Sequence, residues 1–280
     1  MITSITPNKF LAVPWLETSL IMKDRPVIEF SISKPNVIIG PNGSGKSALL
    51  TALSMLTLTY YEDTSTFESH YINMSDSDVF WRKNDDGKDW WERSRLSYLS
   101  GLSYVGDIVP TLYYRPNRIP GNEKGIAHAM MTGYFEQARA YARMTEHKSS
   151  GQKSQAIQEL LFRVLRGEQQ LEFTSRIGDP DKLAKIDARY YSGDIDSKTN
   201  LFKTFYLNRK TDSQAVILDE PEQSLDLEAE IALWQALKQP HGQTQVICAT
   251  HSLYPILHPQ HFNVIETVPG YADRIRQLIA

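Results

Sequence analysis

One stretch, residues 37–50 with the sequence VIIGPNGSGKSALL, constrains the fold of this chain more than any other. A short β-branched run leads into eight residues that read GPNGSGKS, and an apolar segment with helical spacing follows. This order of strand, glycine-rich loop and helix is the context that the pattern G-x-x-x-x-G-K-[ST] requires. The stretch therefore predicts a phosphate-binding loop between a buried strand and a helix.

The residue types of this loop suit the binding of a nucleotide. Glycines let the backbone curl around an anion and present several N–H groups to it. Lys46 supplies a positive charge for the β- and γ-phosphates, the Ser47 hydroxyl is a ligand for Mg²⁺, and the helix N-terminus favours negative charge. We expect Mg²⁺ and ATP here, with contacts from Gly40, Pro41, Asn42, Gly43, Ser44, Gly45, Lys46, Ser47 and Ala48.

The composition of the chain sets only wide limits on its fold, partners and cellular location. The chain has 280 residues, 41% of them apolar, which is enough for one large α/β domain or two small ones. The formal net charge of −3 gives no sign of bulk attraction to nucleic acid or to a membrane. The single cysteine, Cys248, lies in the apolar run QVICAT and indicates a buried thiol in a reducing compartment. No apolar run approaches the roughly 20 residues of a membrane span, so we expect a cytoplasmic protein.

The first half of the chain is informative only in parts. Residues 1–35 are broken by prolines, which favours edge strands and turns, with Phe10 and Trp15 either stacking on a nucleotide base or simply buried. A helix is predicted over 47–60. The segment 61–95 is irregular and rich in serine, aspartate, asparagine and tryptophan, with its tryptophans beside arginines and a lysine, which is typical of an insertion that is either a contact surface or a small subdomain. Residues 96–114 predict one or two strands.

A strand ending in two carboxylates follows later, in the sequence AVILDE. Carboxyl ends of strands are where ligands bind in open α/β sheets. Asp219 is placed to hold the Mg²⁺ shell, and Glu220 to orient or deprotonate the attacking water. Pro221 then forces a turn before a helix over 227–238.

The C-terminal part predicts a buried strand over 243–249, a last strand over 262–266 and a helix over 271–280. His251 follows the first of these strands and is placed to hydrogen-bond a γ-phosphate, although such a histidine is more often structural. His258 and His261 lack a third ligand at metal spacing, so no zinc site is expected.

Two small-residue turns in the middle of the chain are candidates for a second anion site. Ser149-Ser150-Gly151-Gln152 precedes the helical pattern QAIQELLFRVLRG, and Ser192 lies in a similar turn before a second predicted helix. A turn of this kind at a helix N-terminus presents backbone N–H groups to an anion. Serine and glycine also cap many helices, so neither turn is diagnostic alone.

As an ordered set, the phosphate loop, the SSGQ turn, the strand ending DE, the sequence SLD and the sequence ATHS resemble the soluble branch of the ABC-type ATPases. That branch holds SMC-like and DNA-repair ATPases and the stand-alone ATPases of bacterial anti-phage systems such as Septu and retron-associated modules. The resemblance implies a P-loop α/β fold with a mixed central sheet, formed by a single domain over 1–280. It also implies a helical lobe near 121–210 that carries the signature turn.

The same resemblance implies roles for individual residues. Gly40 to Ser47 correspond to the Walker A loop, Asp219 to the Walker B aspartate and Glu220 to the catalytic glutamate, with Lys46 and His251 assisting hydrolysis. Asp226 corresponds to the D-loop aspartate. Ser149, Ser150, Gly151 and Gln152 correspond to the signature turn, which in this family binds the nucleotide held by the opposite subunit.

Two features depart from the family pattern. Ser150 lies farther before Asp219 than is usual, whereas Ser192 has the more typical spacing and the poorer sequence. We favour Ser150, because SSGQKS followed by a helix matches the chemistry. No clear Q-loop glutamine follows the strand that ends near Tyr114, and Gln137 is a weak option.

The resemblance thus implies an ATPase that closes as a head-to-tail homodimer around ATP and controls a separately encoded effector such as a nuclease, with DNA as a further partner and no membrane. An alternative is the nucleotide-binding subunit of a membrane transporter, against which the DEPE sequence and the long signature spacing argue. A module that holds ATP without turnover is the remaining option.

Overall fold

The computed structural model describes residues 1–7, 16–23, 27–57, 101–114, 116, 158–159, 161–171, 211–223, 225–240 and 242–280. These residues form eight strands and four α-helices, together with helical turns at 158–159 and 161–165. In chain order the elements are β1 (Ile2–Pro7), β2 (Ile28–Glu29), β3 (Asn36–Ile39), α1 (Lys46–Thr57), β4 (Leu102–Gly106), β5 (Thr111–Tyr114), β6 (Gln214–Asp219), α2 (Leu227–Lys238), β7 (Thr244–Ala249), α3 (Tyr254–Leu257), a 3₁₀ turn (Pro259–His261), β8 (Asn263–Glu266) and α4 (Tyr271–Ile279).

Five strands form a parallel sheet in the order β5-β6-β7-β3-β8. The strands β3, β5, β6 and β7 are buried along their whole length. Continuous apolar runs such as AVIL and QVIC suit this position, because a parallel sheet is covered by helices on both faces.

Alternate residues of these strands divide between two apolar layers. Ile38, Ile217 and Ile247 belong to the layer that holds the α1 leucines Leu49 and Leu53. The other layer contains the neighbours of those strand residues, and it is filled by helix α2 and by the segment 161–165. Its members include Val37, Val216, Val246, Leu161, Leu165, Leu233 and Trp234. The period of two along each strand therefore places the sheet at the centre of the protein.

A second, antiparallel sheet has the order β2-β1-β4. The mixture of parallel and antiparallel pairing expected from the sequence is thus divided between two sheets within the described residues. The prediction that the first residues form only edge strands was wrong for β1, which is the middle strand. Because β4 arrives from residues 102–106, no local pattern near the N-terminus shows that β1 has a partner on each side.

Two buried amide side chains join the sheets. Gln245 in β7 donates from Nε2 to the carbonyl of Ile2 at 2.6 Å and accepts from the Ile2 N–H at 3.0 Å. Asn36 in β3 donates to the carbonyls of Ser31 and Val246, both at 2.9 Å. The Gln245 bonds satisfy backbone groups at the irregular start of β1 and fix the small sheet against the large one, while the Asn36 bonds hold the segment after β2 to β3 and β7.

Most of the predicted elements that lie within the described residues are confirmed. Helix α1 begins at Lys46, one residue before the prediction, and its predicted last turn at 58–60 lies outside the described residues. The apolar residues before Tyr114 form two strands, one in each sheet. The Cys248 side chain is completely buried, as expected. Within the described part of the chain, no helix is both long enough and apolar enough to span a bilayer.

Candidate nucleotide-binding site

The carboxyl ends of β3, β6 and β7 meet at one edge of the parallel sheet. The phosphate loop leaves β3, the two predicted carboxylates end β6, and Thr250 and His251 follow β7. Ligands of open α/β sheets bind at this edge. The fold therefore brings three sequence motifs to one place.

The loop itself curls tightly before α1. Gly43 and Gly45 have φ values of 73° and 98°, which residues with a Cβ rarely adopt. A Cβ on Gly45 would also lie 2.4 Å from the Cβ of Ser19, and the Ile21 N–H donates to the Ser44 carbonyl at 3.0 Å. The segment 16–23 thus packs against the loop from behind and fixes its shape.

Lys46 is the first residue of α1, and only 5% of it is exposed. Its ammonium group donates to the carbonyls of Gly40 at 3.0 Å and Pro41 at 3.1 Å, so the side chain folds back over the loop. Burial lowers the pKa of Lys46 below its usual value, and the charges of Glu220, Asp219 and Glu222 partly offset this effect. An anion bound in the loop would stabilise the charged form of Lys46 and so raise its pKa again.

Asp219 is held by two hydroxyl groups. Its Oδ1 accepts from the Ser47 hydroxyl at 2.9 Å, and its Oδ2 accepts from the Tyr113 hydroxyl at 3.3 Å. Asp219 is 1% exposed and Tyr113 is 4% exposed. A buried carboxylate oxygen beside a serine hydroxyl provides the hard oxygen donors that Mg²⁺ prefers.

Glu220 adopts φ 52°, and among the described residues it is the only non-glycine with positive φ. Its Oε2 accepts from Gln223 Nε2 at 2.6 Å, and its Oε1 lies 3.4 Å from Nε2 of His251. Its backbone N–H donates to the carbonyl of Ala249 at 2.8 Å. Such backbone strain in a non-glycine residue persists where the surroundings hold it, often at functional sites. The strained turn directs the carboxylate to the His251 side of the edge.

Asp226 lies at the start of α2. Its backbone is extended (φ −73°, ψ 170°), and its side chain accepts from the Ala229 N–H at 2.9 Å. This is an N-cap, which satisfies an amide that the helix leaves unpaired. The structure thus gives this exposed aspartate a local role, whatever it contacts in an assembly.

The described residues fit a magnesium-bound nucleoside triphosphate. The Ser44 hydroxyl in the loop is buried without a hydrogen-bond partner among them, and nothing stands within 4 Å of the place of a Cβ on Gly43. A loop with open space, a cation at its end and an unsatisfied donor suits a phosphate chain. Ser47 and Asp219 supply the adjacent oxygen ligands for the metal.

Sequence reasoning located one part of the site and missed another. Lys46, Ser47, Asp219, Glu220 and His251 lie together as the strand order requires. Three residues with contacts in the site were not identified from the sequence: Tyr113, Glu222 and Gln223. The sequence DEPEQ contained a signal for two of them, since it places a further carboxylate and an amide directly after the predicted pair.

Several predicted site residues lie outside the described residues. They are the two alternative signature turns (Ser149, Ser150, Gly151 and Gln152, or Ser192), the Q-loop option Gln137 and the base-stacking candidates Phe10 and Trp15. The insertion at 61–95 lies outside them too.

A family model described as an AAA domain matches residues 21–232, about three quarters of the chain. The match includes the phosphate loop, β6 and the first turns of α2, and it ends before His251. It confirms the P-loop NTPase class and the α/β fold expected from the sequence. No curated protein matches the sequence.

Proposed function

This chain belongs to the AAA domain family and contains a P-loop ATPase domain, and from this premise we propose that it binds and hydrolyses ATP as an ABC-type ATPase that closes head to tail with a second copy. In this proposal, closure around ATP controls a separately encoded effector, such as a nuclease, in an anti-phage or other DNA-related process.

One observation carries the hydrolytic part of the proposal: Ser47, Asp219 and Glu220 converge from two distant segments at the mouth of the loop. Bound Mg²⁺ would neutralise charge on the phosphates. Ser47 and Asp219 would hold that ion, and Lys46 would face the phosphate oxygens. Glu220 would accept a proton from water, and its contacts with Gln223 and His251 would orient its carboxylate.

Two features support closure by a second copy. The sequence holds a further candidate for an anion-binding turn at 149–152, or at Ser192, in addition to the phosphate loop, and a single nucleotide does not need two such turns on one chain. The sheet edge at the carboxyl ends of β3, β6 and β7 is called the nucleotide edge. In the segment that follows β6 there, Asp226 is exposed, and the next residue, Leu227, is 72% exposed. An exposed leucine beside a proposed nucleotide contact suits a surface that is covered on closure.

A separate effector follows from the assignment of the carboxylates. The strong pair in the sequence, Asp219 and Glu220, is used at the nucleotide site in this proposal, so a hydrolytic activity on nucleic acid would need carboxylates other than this pair, which a separate effector would supply. ATP-dependent closure changes the relative positions of two copies and can therefore select between two states of a bound partner.

The experiment that tests this function measures mass in solution, with and without Mg-ATP, for the Glu220→Gln variant. This variant should bind ATP and hydrolyse it slowly, so ATP should convert it to a dimer. Glu228→Gln, an exposed glutamate on the first turn of α2, is the matched control and should hydrolyse ATP at the parent rate. A Lys46→Ala variant that hydrolyses ATP at the parent rate would contradict the assignment of the site.

A further inference from the structure

Glu222 joins the ends of two strands at the nucleotide edge. It lies in the turn after β6, and its Oε1 accepts two hydrogen bonds from the residues that follow β7. The Thr250 hydroxyl donates at 2.6 Å and the His251 backbone N–H donates at 2.9 Å. Hydrogen bonds to an ionised acceptor are shorter and stronger than those between neutral groups. One carboxylate oxygen therefore holds the turn that carries His251.

The second oxygen of Glu222 is buried and has no hydrogen-bond partner among the described residues. A buried carboxylate oxygen without a hydrogen-bond partner costs free energy unless other interactions of the same group offset that cost. Both bonds that Glu222 makes here go to Thr250 and His251. The hydrogen bonds of the Glu222 side chain thus go to a single segment, the turn after β7.

The same turn has a second acidic attachment. The Ser252 N–H donates to the Thr250 hydroxyl oxygen at 2.9 Å, and the Ser252 hydroxyl donates to Glu230 Oε1 on α2 at 2.5 Å. Ser252 also accepts from the Tyr254 N–H at 3.1 Å. The turn 250–254 is therefore fixed on one side by Glu222 and on the other by helix α2.

The backbone of His251 is fixed in this way, while its side chain is 37% exposed and lies 3.4 Å from Glu220. Glu220 is itself held in a strained turn, so the distance between the two side chains depends on how the β6 and β7 ends are joined. Glu222 makes that join directly. We propose that Glu222 is a positioning residue, which acts through the Thr250–His251 turn to keep the His251 imidazole at the Glu220 carboxylate.

Its role in hydrolysis rests on the proposed function, but the positioning itself does not. Without the Glu222 carboxylate, the His251 backbone N–H loses its acceptor, while the turn keeps the bond from the Thr250 N–H to the Ile38 carbonyl and the attachment through Ser252. The imidazole then moves away from Glu220, whose carboxylate keeps its hydrogen bond from Gln223. The chemical step should slow while the phosphate loop still binds ATP.

Two measurements test this proposal on Glu222→Ala, Glu222→Gln and Thr250→Val. The first is the nitrogen and proton resonances of the His251 imidazole in the nucleotide-free protein, identified among the seven histidines by their loss in His251→Gln. The second is kcat and KM for ATP. Glu228→Ala, on the exposed first turn of α2, is the matched control.

In Glu222→Ala we expect the His251 resonances to move toward those of a free imidazole, as they should in Glu220→Gln. We expect kcat to fall about tenfold or more with KM little changed, because a transition-state contact is lost. Glu222→Gln keeps an acceptor oxygen and should recover much of both readouts. Thr250→Val removes one of the two bonds and should shift the resonances in the same direction by less.

His251 resonances and kcat at the parent values in Glu222→Ala would overturn the proposal. If Glu222→Ala does not fold, unchanged resonances in both Glu222→Gln and Thr250→Val would overturn it equally. If the parent protein hydrolyses no ATP, the proposed function fails while the resonances still decide whether Glu222 positions His251. Equal movement of the resonances in Glu228→Ala would identify a general loss of structure and also overturn it.

Discussion

The hydroxyl of Ser47 donates a 2.9 Å hydrogen bond to the carboxylate of Asp219, although 172 positions separate the two residues in the chain. This bond joins the start of α1 to the end of β6 at the point where a metal ligand pair is needed. Because both groups are oxygen donors at a buried edge, their surroundings should determine how strongly Mg²⁺ is held.

Tyr113→Phe tests those surroundings. The Tyr113 hydroxyl donates to the oxygen of Asp219 that Ser47 does not contact, so its removal should weaken Mg²⁺ binding about tenfold or more. The readout is the Mg²⁺ concentration for half-maximal ATP hydrolysis. Tyr114→Phe is the control, since this neighbour is similarly buried and packs in the opposite layer of the sheet. Equal Mg²⁺ requirements in the two variants would contradict the prediction.

Lys46 should give nucleotide binding and folding opposite responses to alkaline pH. Burial lowers the pKa of Lys46 in the folded protein, so between that pKa and 10.5 the unfolded chain binds more protons and the free energy of unfolding rises with pH. Over the same window the neutral amine no longer attracts phosphate, and ATP affinity should fall. Calorimetric titration and urea unfolding at several pH values measure the two trends. Lys46→Met should remove both contributions, whereas Lys34→Met, at an exposed lysine, should keep them.

Gln245→Leu should destabilise the junction between the sheets. Gln245 pairs with both the N–H and the carbonyl of Ile2, and leucine would leave these two buried groups without a partner. We expect the free energy of unfolding to fall by about 2 to 4 kcal/mol. Gln243→Leu, two positions earlier and exposed, should change it by less than about 0.5 kcal/mol. Urea unfolding followed by circular dichroism measures both free energies of unfolding. Similar decreases in the two variants would contradict the prediction.

The backbone at Glu220 predicts a reversal of the usual ranking of glycine and alanine. With φ 52°, a residue with a Cβ is strained, so Glu220→Gly should be about 1 kcal/mol more stable than Glu220→Ala. At Gln235, an exposed position in the interior of α2, the order should be the ordinary one, with glycine less stable than alanine by about 1 kcal/mol. Both Glu220 variants should lose hydrolysis. The same ranking at the two positions would show that the strained φ has no energetic effect.

Cys248 should behave as a probe of global unfolding. It is the only cysteine, it is completely buried in β7, and burial together with Glu222 and Asp219 raises the pKa of its thiol well above the usual value. A thiol reagent at pH 8 should therefore label it only as fast as the protein opens. Rapid stoichiometric labelling of the native protein would contradict this. Cys248→Ala gives the background rate.

Local patterns were sufficient for much of the fold. The loop between β3 and α1 needs its glycines whatever its partners are, and β6, α2 and β7 each have an apolar pattern and end signals that do not depend on distant residues. Asp219 and Glu220 could be assigned to the site because the carboxyl ends of parallel strands share one edge.

The rest depends on which distant segments meet. The middle position of β1 is set by β4, and the contact of Tyr113 with Asp219 is set by the pairing of β5 with β6. In LYY, adjacent tyrosines point to opposite faces, and only the sheet order shows which one reaches the carboxylate. The sequence shows a turn after Pro221 but gives no sign that Glu222 bonds to Thr250 and His251, because these partners follow another strand.

The order of strands in the parallel sheet also bears on how the protein emerges during synthesis. β3 is made early, but its two neighbours are β7 and β8, which are among the last strands of the chain. Until residues 244–266 leave the ribosome, the strand that ends in the phosphate loop has no hydrogen-bonded neighbour in this sheet. Pairings of such sequence separation form slowly and leave apolar strand edges exposed meanwhile. We therefore expect nascent chains of this protein to depend on chaperones until β8 has been added.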